Sequence, residues 1–314
     1  PFYLASQGID VWGIDLAWTL VPIETTDFTF MKDWGLERDV DHTLAAMSIA
    51  RLIRGFTGQG FDRLNLEGYC CTVNMIYYAA EKETQIHPVL RDIKGLIPAE
   101  GLLKFDPSLD DYEVLLDYYQ DATDAMIAFH EQGTYNYDGL GMIYMANLAL
   151  YSPDDLSQIP PFSDYGLTNY KAFLLAGCSP IENDIPCWHY FGGSLKEGFI
   201  YSDVNRFIRM AVNLNPYMPL KHLIDMNACT AEYDVVYDDH LKDIRLPILY
   251  IGTEGAVGSY GIYSSSLTSS KDITNHVVSK GVDRCIDYGH ADIWMAYDAD
   301  ELIWKPMYQW LLTH

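Results

Sequence analysis

No stretch of this chain approaches the roughly 18 consecutive apolar residues that a membrane-spanning helix requires. Bases are scarce: 20 Lys and Arg stand against 44 Asp and Glu, a formal charge of −24. A protein that grips nucleic acid needs a basic footprint, so that partner class is excluded. The acids are scattered and form no long run of the kind that marks a disordered tail. Six cysteines in 314 residues are too few for a disulfide scaffold. No His/Cys/Asp cluster has metal-ligand spacing, so neither a metal nor a cofactor is expected. Internal repeats and low-complexity segments are also lacking.

What is present is a chain that is 49% hydrophobic, enough to bury a large core. Pro1 to Gly8 reads as the end of a helix, and Ile9–Asp15 has the β-branched and aromatic character of a strand. The chain opens as if in the middle of an element, so upstream sequence is expected and targeting is left open. Between Arg38 and Gly55 apolar residues recur at helical spacing. A strand over Arg63–Glu67 is followed by a helix from about Thr72 to Glu81. Ile93 to Glu100, Leu246 to Gly252 and Val282 to Gly289 read as further strands, and Asp300–Leu312 as a final helix. Strands alternating with helices predict an α/β fold with a mostly parallel sheet flanked by helices.

That alternation breaks between Gly101 and Asp243. Helices are expected there over Asp111–Gln132, Leu140–Tyr151 and Ser202–Val212. The segment is too long for a loop, so it reads as a helical cap (residues 101–243) inserted into a core of residues 1–100 and 244–314. Its aromatics, among them Trp188, Tyr190 and Phe191, suit an apolar or aromatic ligand where they are not core. Cys178 and Cys187 flank a short loop and could bridge in an exported protein; reduced thiols would fit a cytosolic one.

The most informative stretch is Gly68-Tyr69-Cys70-Cys71-Thr72, set between the strand and its helix. It has the layout of a nucleophile elbow, a sharp turn that lifts one side chain above a sheet. With the late Tyr288-Gly-His-Ala-Asp-Ile-Trp294 segment and the sheet pattern in register, the chain resembles the α/β-hydrolase superfamily along nearly its whole length. The resemblance is to capped esterases and lipases, with cysteine in place of the elbow serine and Thr72 in place of the last glycine.

The resemblance implies Cys70 as nucleophile, His290 as general base and the Cys71 backbone N–H as one oxyanion donor. Two acids compete to orient His290: Glu100, after the strand that follows the elbow, and Glu254, after a later strand. Glu100 is preferred, and Asp292 is expected to brace the local loop. A second oxyanion donor is expected upstream of Pro1. The activity implied is cleavage of an ester or thioester through a covalent Cys-His-Glu mechanism, on a small-molecule or polyester-type acyl substrate. Polyhydroxyalkanoate synthases and depolymerases, which also carry cysteine at the elbow, offer an acyltransferase alternative. A non-catalytic descendant of the fold is a third reading, and a homodimer is compatible with all three.

Overall fold

The computed structural model describes residues 2–180 and 185–314. Pro1 and part of the loop between Cys178 and Cys187 lie outside them. The centre is a four-stranded parallel sheet in the order β1 (Leu64–Tyr69), β2 (Ile93–Ala99), β3 (Ile248–Thr253) and β4 (Ile273–Val278). β2 and β3 are the inner strands. β3 is buried at every position and β2 at nearly every one, which is why they read as unbroken apolar runs rather than as alternating ones.

Successive side chains of a strand point to opposite faces, so each face of the sheet collects its own core. Leu96 and Ile248 pack with Val40 and Met47 of helix α1 (Leu36–Phe56) and with Val73, Ile76 and Tyr77 of helix α2 (Val73–Thr84). On the other face, Ile97, Ala99, Leu249 and Ile251 meet Ile293, Ile303, Met307 and Trp310 near the C-terminus. Glu37 and Asp39 occupy the first turn of α1, where carboxylates complement the helix dipole.

Between β2 and β3 the chain forms α3 (Tyr112–Glu131), α4 (Leu140–Tyr151), α5 (Asn169–Cys178), α6 (Val204–Ala211) and α7 (Leu220–Thr230). This segment has an apolar cluster of its own, built on Ala146, Phe173, Phe191, Phe207 and Ile208. α7 reaches back to the core, where Leu36 N–H donates to Asp225 at 3.0 Å and Asn74 donates to the Met226 carbonyl at 3.3 Å. No helix among the described residues is long and apolar enough to cross a membrane.

Several sequence expectations need correction. Ile9–Asp15 is not a strand: it has no ladder partner among the described residues, and Val11, Trp12 and Ile14 are exposed. Val282–Gly289 is not one either, because the Asp283 carboxylate accepts the Cys285 N–H at 2.9 Å and closes a tight turn over Arg284–Ile286. The last strand lies earlier, at β4. The final helix starts as a wide turn over Asp300–Trp304 and becomes α-helical, as α8, only over Lys305–Leu311. Cys178 does not bridge to Cys187; it is buried and free, and Cys187 pairs with Cys285.

Candidate active site

β1 ends at Tyr69, and the chain then turns sharply through Cys70–Thr72 into α2. Cys70 has a φ of 57°, the left-handed backbone that a residue with a Cβ rarely adopts. Thr72 holds the turn closed. Its hydroxyl accepts from the Tyr69 N–H and donates to the Tyr69 carbonyl, both at 2.8 Å. Two glycines make room. A Cβ at Gly68 would lie 2.7 Å from the Thr72 carbonyl oxygen, and one at Gly101 would lie 2.7 Å from that of Cys70. The close approach that the usual last glycine of such a turn permits is supplied here by Gly101, after the neighbouring strand, which frees position 72 for a hydroxyl.

The other groups come from the end of β2 and from the loop that follows the Arg284–Ile286 turn. Glu100 follows β2, is buried and also has a positive φ, of 51°. Its carboxylate accepts the N–H groups of Thr253 and Val257, and its Oε2 lies 3.0 Å from His290 Nδ1. Glu254, the other acid considered, is turned away and pairs with Arg284 at 3.2 Å. His290 is buried, with its ring stacked on Tyr69 at 4.7 Å and packed by Trp188 at 5.0 Å. With Nδ1 committed to Glu100, the ring also interacts with the neighbouring Cys70 thiol, and each shifts the other's titration. The structure thus places Cys70, His290 and Glu100 near one another, with Glu100 bonded to the ring.

The electrostatics belong to the group as a whole. The two sulfurs share a hydrogen bond, which pushes Cys70 up, with burial adding to it and His290 opposing it. The same bond pulls Cys71 down. Cys71 is thereby made the more acidic of the two sulfurs. Burial disfavours a charged His290, but the sulfur charge and the Glu100 carboxylate outweigh it and lift the ring to about 10.

The segment between β2 and β3 packs directly on this histidine. His290 N–H donates to the His189 carbonyl at 2.9 Å and Ala291 N–H to that of Tyr190 at 2.8 Å. The Cys187–Cys285 disulfide and a hydrogen bond from Arg284 to the Pro186 carbonyl, at 2.7 Å, fasten the same junction. Asp292 braces it by accepting from Gly192, Gly289 and Ser202. A surface cleft of about 430 Å³ between Thr26–Thr29 and Gly133–Asn136 includes none of these residues.

Sequence reasoning missed one buried pair beside the turn. Asp39 and His222 are fully buried and meet at 2.8 Å, while Asp39 Oδ1 and His222 Nε2 have no partner. Thr43, one turn after Asp39 on α1, donates to the sulfur of Met75, one turn after Cys71. Asp39 therefore lies across from Cys71, and its charge opposes ionisation there. With 183 residues between the partners, no local pattern could have flagged them.

No protein-family model matches the chain, and no protein of curated function matches it in sequence. Solved structures do match. A provisionally assigned lipase from Sulfolobus solfataricus superposes with a TM-score of 0.54 at 19% identity, over 93% of this chain and 70% of that one. The chain has the α/β-hydrolase fold. Among further α/β-hydrolases, a metagenome-derived lipolytic enzyme matches at TM-score 0.43 and 13% identity, over 90% of this chain and 76% of its own. A monoglyceride lipase from Saccharomyces cerevisiae matches at 0.39 and 14%, over 92% and 71%.

Proposed function

We propose that this α/β-hydrolase-fold protein cleaves an ester or thioester bond of an apolar acyl substrate through a covalent thioester on Cys70. The observations that support the reading are the Glu100–His290 hydrogen bond and the left-handed turn that holds Cys70 beside that ring. Glu100 fixes the imidazole in the tautomer that faces Cys70 and stabilises its charged form. His290 takes the thiol proton. The sulfur attacks the acyl carbon, and the Cys71 backbone N–H, in the first turn towards α2, stabilises the developing oxyanion. Collapse returns the proton from His290 to the leaving alcohol or thiol. Water, activated by the same ring, then releases the acid and restores the thiol. Residues 101–243 serve as the cap, with Trp188 and Tyr190 covering the histidine and excluding bulk water.

Turnover of p-nitrophenyl butyrate tests this. Activity should be lost in Cys70→Ala and after alkylation of Cys70 by iodoacetamide. A Cys70→Ala protein that still hydrolyses the ester at the native rate overturns the proposal.

A further inference from the structure

The proposed reaction uses the sulfur of Cys70 and the backbone N–H of Cys71, and it leaves the sulfur of Cys71 without a task. Yet the two thiols are adjacent in one turn, free and only half-buried. The other free cysteines, Cys178 and Cys229, are buried, and Cys187 is already paired with Cys285. Adjacent, half-buried sulfurs beside a histidine that can take a proton, leading into a helix, have the access and the neighbours that let thiols react with oxidants.

We propose that Cys70 and Cys71 form a reversible oxidation site, in which a hydroperoxide closes a disulfide between the neighbours and blocks the nucleophile. The effect on turnover rests on the reading of Cys70 as nucleophile; the chemistry of the pair does not. His290 takes the Cys70 proton and the thiolate attacks the peroxide, so that an S–O bond forms, the O–O bond breaks and the leaving hydroxide or alkoxide takes that proton back from the ring. Cys71 then attacks the Cys70 sulfur. The S–S bond forms, the S–O bond breaks, and the departing hydroxide takes up the remaining proton as water. Two thiols have lost two electrons and two protons, and the peroxide has been reduced to two molecules of water, or to water and an alcohol.

A neighbouring thiol decides the fate of the sulfenic acid. Without one, further peroxide carries it to the sulfinic acid, which thiols do not reverse. With one, the product is a disulfide across residues whose Cα atoms are only about 3.8 Å apart, below the roughly 4.4 Å at which ordinary disulfides begin. Such a bond is strained and readily reduced, so a dithiol reopens it.

The test treats the full chain with hydrogen peroxide, labels remaining thiols with N-ethylmaleimide and maps the peptides by mass spectrometry. The peptide holding Cys70 and Cys71 should be lighter by two hydrogens and unlabelled, and dithiothreitol should restore both labels. Hydrolysis of p-nitrophenyl butyrate should fall at least ten-fold and recover with the dithiol. In Cys71→Ser the same peptide should gain two oxygens at Cys70, with activity lost from that variant's own starting level and not recovered. Sulfinic acid at Cys70 with Cys71 still labelled in the native protein overturns the proposal, and so does a pair that peroxide leaves untouched. An untreated protein that turns over no ester would instead overturn the catalytic reading and leave the mass readout intact.

Discussion

A cysteine at φ 57° holds a conformation that costs about 1–3 kcal/mol, and its neighbours maintain it. Thr72 ties both backbone groups of Tyr69, and Gly68 and Gly101 keep the approach open. Thr72→Val keeps the shape and removes both bonds, leaving a Tyr69 N–H without its partner. It should cost about 1–3 kcal/mol in urea unfolding and lower ester turnover as well. Glu100→Gln should reduce kcat/KM on the order of a thousand-fold, because the ring loses its negative partner and its fixed tautomer. Cys70, and Glu100 after it, give His290 a pH dependence. His290 titrates near 6.5 when unfolded and at about 10 when folded. The folded state thus holds the proton more tightly, and the stability this gives is complete below about pH 6.5 and lost as pH rises through about 10. Urea midpoints should fall between pH 7 and 10, less steeply in Glu100→Gln; a flat native profile would contradict the assignment.

At the scale of elements, what could be read in the sequence follows how local each signal is. The elbow, α1, α2, β2 and α4 lie close to where periodicity and glycine placement put them, because each is set by its own side chains. Ile9–Asp15 has strand propensity, but propensity does not supply a ladder partner. β4 reads Ile-Thr-Asn-His-Val-Val, with three polar residues in succession, and packs at the sheet edge, a weaker signal than the apolar runs of β2 and β3. The two candidate acids both follow strands, so sequence alone left the choice open; Arg284, from the distant turn, is what draws Glu254 aside. The Asp39–His222 pair joins α1 to α7 and is wholly tertiary. Replacing His222 with leucine leaves a buried carboxylate without its partner and should destabilise the fold by about 3–5 kcal/mol in chemical denaturation. Replacing both with apolar residues should cost much less.

For the whole molecule, the deciding feature is how the segment between β2 and β3 is fastened over the sheet. The −24 charge favours solubility and opposes compaction, so specific ties must hold the segment down where it covers His290. The pairing of Cys187 with Cys285 is one of them; the sequence left Cys187 either reduced or bridged to nearby Cys178, because spacing along the chain says little about distance in space. The bond closes a loop across 98 residues, which restricts the unfolded chain strongly. It also ends five positions before the histidine. Replacing both Cys187 and Cys285 with serine should therefore lower stability by about 2–4 kcal/mol. Turnover should fall further than the loss of folded protein explains, since the Trp188–Tyr190 cover then loses its one covalent tie to the segment before His290. Measuring Tm and kcat/KM on the same double variant separates the two effects. A lower Tm with unchanged kcat/KM well below it would show that the disulfide stabilises the fold without positioning the site.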